Sequence, residues 1–169
     1  MQVKRDAWNY GYILINPITG RKFHIEYFND FQELKKKVLE PGFWDLRNAE
    51  KEKNSELFHK YYKPLSKSYF RKKEAIGKAA LNSPIQGTAA EITKLAVYYI
   101  FKELIKRDYL FIVFISNLIH DEILIEAPEN KAEEIAELVE TSMIKAGRIL
   151  GCERVPLGAE AKIVDWWNH

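Results

Sequence analysis

The residues with the clearest chemical potential are three consecutive polar side chains, His120, Asp121 and Glu122. An apolar run of strand length precedes them (109–119), and a second apolar segment follows them (123–125). Two such segments predict a hairpin that carries the polar triplet at or beside a tight turn. Because an unpaired buried carboxylate is costly, Asp121 should point to solvent, to a cation or to a metal. The alternative is an ordinary exposed turn, in which aspartate is common.

A basic and aromatic segment is the second candidate. Between Lys60 and Lys78 there are seven basic residues against one acid, Glu74, with four aromatic residues among them. Such a segment could hold a phosphate backbone, although a solvated helix face with its rings turned inward is the alternative. The balance reverses over 129–140, where five glutamates stand against one lysine. The basic residues concerned include Arg71, Lys72 and Lys73.

The first part of the chain must position these residues through short elements. Residues 10–15 are rich in aromatic and β-branched side chains, and residues 16–20 contain the Asn-Pro and Thr-Gly pairs that are typical of turns. In residues 22–28 polar and apolar side chains alternate, so the two segments predict a β-hairpin. Asn29-Asp30 then opens a short helix that Pro41-Gly42 ends. We expect residues 43–75 to be partly helical.

A longer helix is predicted next. Ser83 ahead of Pro84 predicts a helix start, and Gln86 is placed to close a capping box with that serine. Thr88 and Glu91 repeat the same spacing, so the predicted start is ambiguous by one turn. Apolar residues at helical period carry the helix to about Lys106.

The last elements complete the predicted fold. Pro128 begins a long amphipathic helix that Gly151 stops, and alternation over 155–163 predicts a final strand reaching Trp166-Trp167. The order of elements predicts an α+β fold, an antiparallel sheet backed by long helices.

Composition narrows the functional classes. The 169 residues are 47% hydrophobic and 30% charged, with a net charge of +2, which is typical of a globular domain and not of a disordered chain. The lone cysteine, Cys152, excludes an internal disulfide and a cysteine-based zinc cluster. The longest apolar run is too short to span a bilayer, and no export leader opens the sequence. We expect a soluble, cytoplasmic protein with no membrane partner.

Four segments resemble one known family, in that family's order. Residues 119–128 resemble motif C of family A DNA polymerases, the bacterial DNA polymerase I family. Residues 82–91 closely resemble the helix that follows the fingers of those enzymes, and 155–166 are similar to their closing strand. Gly11-Tyr12 with residues 20–22 look like the hairpin after the fingers helix. The resemblance covers about residues 10–24 and 78–169.

The resemblance implies a catalytic role for the polar triplet. Asp121 matches the aspartate that binds the divalent metals, Glu122 is the adjacent auxiliary acid, and His120 faces the primer terminus. The implied reaction is template-dependent nucleotidyl transfer by a two-metal mechanism, with Mg²⁺ held by oxygen ligands. The implied substrates are primer–template DNA and a dNTP, and the implied setting is DNA replication in a bacterial or phage-infected cell.

The resemblance also implies a DNA-binding surface. Asn82 and Gln86 match residues that face the minor groove, where amides meet acceptors present at every base pair. Gln86 keeps its capping role as an alternative. Lys78 stands where the family usually has arginine and could hold a phosphate as a point charge. The expected DNA-binding residues are thus Lys78, Asn82 and Gln86, with Arg71, Lys72 and Lys73 from the basic segment.

Departures from the family define the expected organisation. The resemblance divides the chain into a hairpin (1–28), an insertion (29–77) that indicates a phage-like origin, and a partial palm-like core (78–169). The family's other catalytic aspartate and its fingers helix have no counterpart in these residues. We therefore expect the C-terminal palm part of a DNA-directed DNA polymerase, inactive alone and completed by a second polypeptide. The alternatives are a non-catalytic DNA-binding domain that retains the palm fold and, less favoured, a small metal-dependent nuclease.

Overall fold

The computed structural model describes residues 2–154 and 156–166. They divide into two compact units. The first comprises the described residues of Met1–Ile15 with Arg21–Pro84, and the second comprises Asn16–Gly20 with the described residues of Ile85–His169. No helix within the described ranges is long and apolar enough to cross a membrane.

The first unit is mainly helical. Helix α1 precedes a hairpin of two strands, and this hairpin confirms the predicted pair. The second strand is shorter than predicted, because Tyr27 lies in a turn and Phe28 begins a helix. The predicted short helix is confirmed, and the segment 43–75 is more helical than predicted. The elements are α1 (Gln2–Tyr10), β1 (Tyr12–Asn16), β2 (Arg21–His24), α2 (Phe28–Val38), α3 (Phe43–Glu52), a π-helical turn (Phe58–Tyr62) and the first half of α4 (Lys63–Lys106).

Aromatic packing forms the core of this unit. Phe31 of α2 stacks on Tyr69 of α4 with ring centroids 5.8 Å apart, and Tyr69 is buried. The aromatic rings of the basic segment therefore include members turned inward, as the alternative interpretation of that segment required. The largest fully buried side chains here are Phe31, Ile13, Ile76 and Val38.

The predicted helix start at Ser83 is wrong, because Ser83 lies inside the longer helix α4. The helix runs unbroken through Ser83 and Pro84, so Ser83 is not an N-cap and Gln86 closes no capping box. A capping box is a local signal, whereas helix formation is cooperative and upstream packing extends it. Ile76 and Ala80 are fully or almost fully buried on the upstream half. This packing offsets the cost of about 3 kcal/mol that an interior proline carries. The predicted end at Lys106 is confirmed.

The second unit contains the other hairpin and the last helix, which are β3 (Phe114–Ile119), β4 (Glu122–Glu126) and α5 (Ala132–Ile149). The predicted strand over 109–119 is wrong in its first half. The Ile112 and Val113 amides both donate to the Tyr109 carbonyl, so this half forms a turn. Helix α5 begins after a 3₁₀ turn that follows Pro128 and ends before Gly151 (φ 88°), as predicted. Its buried side packs with α4 and Val113 through Ile100, Leu104, Ile135 and Leu138.

The predicted final strand is also wrong. Residues 156–164 have no regular secondary structure, while Val155 and Trp167, which the prediction included, lie outside the described residues. The segment lies along α5: the Ala161 amide donates to the Glu140 carboxylate at 2.7 Å, and Leu157 lies against Gly147. Alternation alone does not make a strand, because a strand needs a neighbour that accepts its backbone hydrogen bonds.

The fold class is mixed helix and strand, as predicted. The described strands form two separate two-stranded antiparallel sheets, β1–β2 and β3–β4. Where an antiparallel sheet backed by helices was predicted, the described part of the chain has two separate hairpins.

Candidate metal and nucleic-acid site

The β3–β4 hairpin holds the polar triplet at its tip. Ile119 pairs with Glu122, so His120 and Asp121 form a two-residue loop and Glu122 is the first residue of β4. His120 has a φ of 53°, in the left-handed region that a two-residue hairpin loop needs and that histidine tolerates better than most residues. All three side chains are exposed. The predicted placement of the triplet is confirmed.

The hairpin carries a further irregularity near its base. The register shifts between Ile115 and Asn117, which leaves Ser116 as an extra residue in β3. The Ser116 hydroxyl donates to the Glu126 carboxylate at 2.6 Å. A bulge increases the local twist of a strand pair and turns its far end. The direction of the tip, and so of Asp121, depends on this bulge.

The tip offers oxygen ligands for a hard cation. Asp121 and Glu122 are adjacent exposed carboxylates, and Mg²⁺ prefers oxygen donors, keeps several waters and accepts substrate phosphates as further ligands. The residues present therefore fit a metal held partly by substrate. Within residues 2–154 and 156–166, no group of three His, Cys, Asp or Glu side chains is arranged to hold a metal ion.

Asn82 and Gln86 lie four positions apart on α4, and both are exposed. Since no helix begins at Ser83, Gln86 has no capping partner there.

The four predicted phosphate-binding residues differ in their surroundings. Arg71 is exposed, whereas Lys72 donates to the Asp30 carboxylate at 2.7 Å and Lys73 lies 5.2 Å from the centre of the Trp8 ring. Lys78 pairs with Glu74 at 2.8 Å, and this hydrogen bond raises the pKa of the Lys78 ammonium. Both partners of that pair are largely exposed. An exposed pair contributes little, so a phosphate could replace Glu74.

Helix α1 was not predicted from the sequence. Lys4 and Trp8 are four positions apart on that helix and face α4, where the Trp8 indole N–H donates to the Lys73 carbonyl at 3.1 Å. The i, i+4 spacing of a lysine and a tryptophan is the signal that would have drawn attention to this helix.

Comparison with known proteins places the chain in a family. Residues 13–169 match the family model described as DNA polymerase family A, which is nearly the whole chain. The chain belongs to DNA polymerase family A.

Several curated members of family A are similar to it. DNA polymerase I of Aquifex aeolicus is 42% identical over 89 residues, which is 53% of this chain and 15% of that protein. Thermostable DNA polymerase I of Thermus thermophilus is 37% identical over 95 residues, 56% of this chain and 10% of that protein. DNA polymerase I of Borreliella burgdorferi is 26% identical over 150 residues, 89% of this chain and 16% of that protein. The chain thus spans at most about a sixth of the length of these relatives. No solved structure matches it.

Proposed function

We propose that this chain is the palm part of a DNA-directed DNA polymerase, acting in template-dependent nucleotidyl transfer. The observation that carries the proposal is the hairpin tip of a family A chain, where Asp121 stands exposed in a two-residue loop and Glu122 stands exposed at the start of β4. An exposed carboxylate on a hairpin formed by two paired strands has a defined position, and its oxygen atoms are open to a metal ion. These are the properties that a metal-dependent phosphoryl-transfer site needs.

The acids of the tip are the proposed metal ligands. Asp121 would hold divalent metal directly, and Glu122 would support it as an auxiliary ligand. Bound Mg²⁺ supplies charge that stabilises the attacking and leaving oxygens of an in-line displacement. His120 is held at the same tip by its left-handed backbone, and its imidazole is proposed to contact the primer terminus.

Exposed amides and cations are the proposed DNA contacts. Asn82 and Gln86 would donate to minor-groove acceptors, which occur at every base pair and so allow contact without sequence preference. Lys78 would exchange its exposed partner Glu74 for a phosphate. Arg71, Lys72 and Lys73 would add positive charge along the same helix.

Completion from outside these 169 residues is part of the proposal. The two-metal reaction takes a further aspartate and a dNTP-binding helix, which the resemblance assigns to segments that precede the matched residues in the family. We propose that a separate polypeptide, or a preceding part of a longer chain, supplies both. The 169 residues alone are expected not to extend primers.

The test is a chimera of Aquifex aeolicus DNA polymerase I in which this chain replaces the segment that it matches. We expect Mg²⁺-dependent primer extension by the chimera and a loss of at least about 100-fold on Asp121→Asn, since removal of a single transition-state interaction commonly has this size. Asp108→Asn is the matched control, because Asp108 is also exposed and left-handed (φ 58°) in the same unit.

The outcomes separate the alternatives. Extension that survives Asp121→Asn removes this residue from the catalytic role. A folded chimera that binds primer–template in a salt-dependent way but never extends it favours the non-catalytic DNA-binding domain. DNA cleavage by the 169 residues alone in Mg²⁺ would indicate the nuclease.

A further inference from the structure

A groove of about 430 Å³ lies between α1 and α4 in the first unit. On α1, Lys4 and Trp8 line it at i, i+4 spacing. On α4, the lining residues recur at helical intervals, so one face of each helix contributes: Phe70, Lys73, Glu74, Gly77 and Lys78.

Helix α1 packs on α4 around Gly77. A Cβ at Gly77 would lie 3.5 Å from Trp8 Cζ2 and 3.8 Å from Lys4 Cδ, which are ordinary van der Waals distances, so the indole and the lysine stem lie beside this part of α4. The Trp8 indole is held there by its hydrogen bond to the Lys73 carbonyl. The groove thus has a rigid aromatic wall and a lysine stem that runs past it.

Phe70 is the exposed aromatic residue of the groove. It is 52% exposed although its ring lies 5.7 Å from the Trp44 ring and 5.3 Å from the Tyr69 ring, centre to centre. An aromatic ring that is supported on some sides and open on another can accept a flat partner.

The first unit has a net positive charge, as the groove does. The first unit has 17 basic and 10 acidic residues, a charge of +7, while the second has 9 and 14, a charge of −5. Three of the groove's seven lining residues are lysines and one is an acid, Glu74, which is already paired with Lys78. The net charge of the whole chain is near zero because the charges of the two units nearly cancel.

We infer that the groove between α1 and α4 binds single-stranded DNA, with Lys4, Lys73 and Lys78 on the phosphates and a base against Phe70. Lysines combined with an exposed aromatic ring are the elements with which proteins bind unpaired strands without sequence preference. Duplex bases are stacked on each other and leave no face for Phe70, so duplex would use only the lysines. The inference deepens the proposed function, because a template-dependent polymerase meets its template unpaired ahead of the primer end.

The test is fluorescence anisotropy of a labelled oligothymidylate with the full 169-residue chain in EDTA, over a range of salt. Phe70→Leu keeps an apolar side chain but removes the ring, and we expect affinity to fall roughly fivefold to 150-fold, the range for one base–aromatic stack. Phe101→Leu is the matched control, since Phe101 is similarly exposed (48%) on the second-unit part of α4. It should leave affinity unchanged.

Salt dependence tests the lysines separately. Lys4→Gln should reduce the slope of log affinity against log salt by about 0.7, the value for one phosphate contact on a single strand. Lys36→Gln, an exposed lysine of α2 outside the groove lining, should leave the slope unchanged. Circular dichroism establishes that each variant is folded.

Two results would overturn the inference: unchanged affinity in Phe70→Leu, or equal slopes in Lys4→Gln and Lys36→Gln. Binding in EDTA needs neither metal nor the hairpin tip. A chain that binds the strand in this way while its chimera extends no primer keeps the groove and loses the polymerase proposal, and the converse also holds.

Discussion

Gly11 joins α1 to β1, and its replacement should be among the most damaging single changes in the first unit. Its φ of 73° lies in the left-handed region, which costs an alanine about 1–2 kcal/mol. A Cβ at this position would also lie 2.5 Å from Phe28 Cδ1 and 2.6 Å from Cγ, closer than atoms approach without movement. Shifting a packed ring adds about 1–3 kcal/mol. Gly11→Ala should therefore lower the free energy of unfolding by about 2–5 kcal/mol.

Gly42 provides the matched control for this prediction. It belongs to the same unit and has a φ of 80°, but a Cβ there would meet nothing within 4 Å. Gly42→Ala should show the backbone cost alone, about 1–2 kcal/mol. Urea unfolding followed by circular dichroism measures both variants. Equal losses in the two would refute the reasoning, since the difference between them is assigned entirely to the Phe28 ring.

Two further predictions concern the second unit. His120→Gly should leave the free energy of unfolding unchanged or raise it by up to about 1 kcal/mol, because glycine adopts the φ of 53° without strain. Primer extension by the chimera should fall, because the imidazole is lost. Undiminished extension would contradict the role of His120. Hydrogen bonds from Lys131, Tyr109 and Arg107 hold the pKa of the Glu134 carboxyl below its ordinary value of 4.5. The stability that these hydrogen bonds contribute is present above about pH 4.5 and is lost as pH falls through the lowered pKa. In Glu134→Gln, the free energy of unfolding in urea should therefore decrease less between pH 7 and pH 3 than in the unmodified chain. An equal decrease in both would contradict this.

The elements that were predicted correctly depend on local patterns. Residues 123–125 lie within β4, Pro128 and Gly151 bracket the last helix, and the polar triplet lies at the hairpin tip. In each case the turn chemistry and the hydrophobic period agree over a few residues, and no distant partner is needed to choose between structures. The same locality explains the error at Ser83, whose cap pattern is complete in sequence but is overridden by helix packing around Ile76 and Ala80.

The errors in the strands have a different cause. The segment 156–164 has a strand-like alternation, yet Ala161 and Leu157 contact α5 through Glu140 and Gly147. Whether an alternating segment becomes a strand depends on an available edge, which its own residues do not encode. The same holds for 109–113, where the Tyr109 hydroxyl bonds to Glu134 of α5 and the chain turns before pairing begins.

The amino-acid order alone determined the hairpin that presents Asp121, the family of the chain and the concentration of basic residues before Pro84, because these are properties of short stretches and of composition. Tertiary structure alone decided which faces of α1 and α4 meet. Trp8 and Lys73 are 65 positions apart, and the groove beside them exists because α1 packs on α4, where the indole N–H donates to the Lys73 carbonyl. Contacts between such distant residues follow from how whole elements pack, which local propensities do not specify.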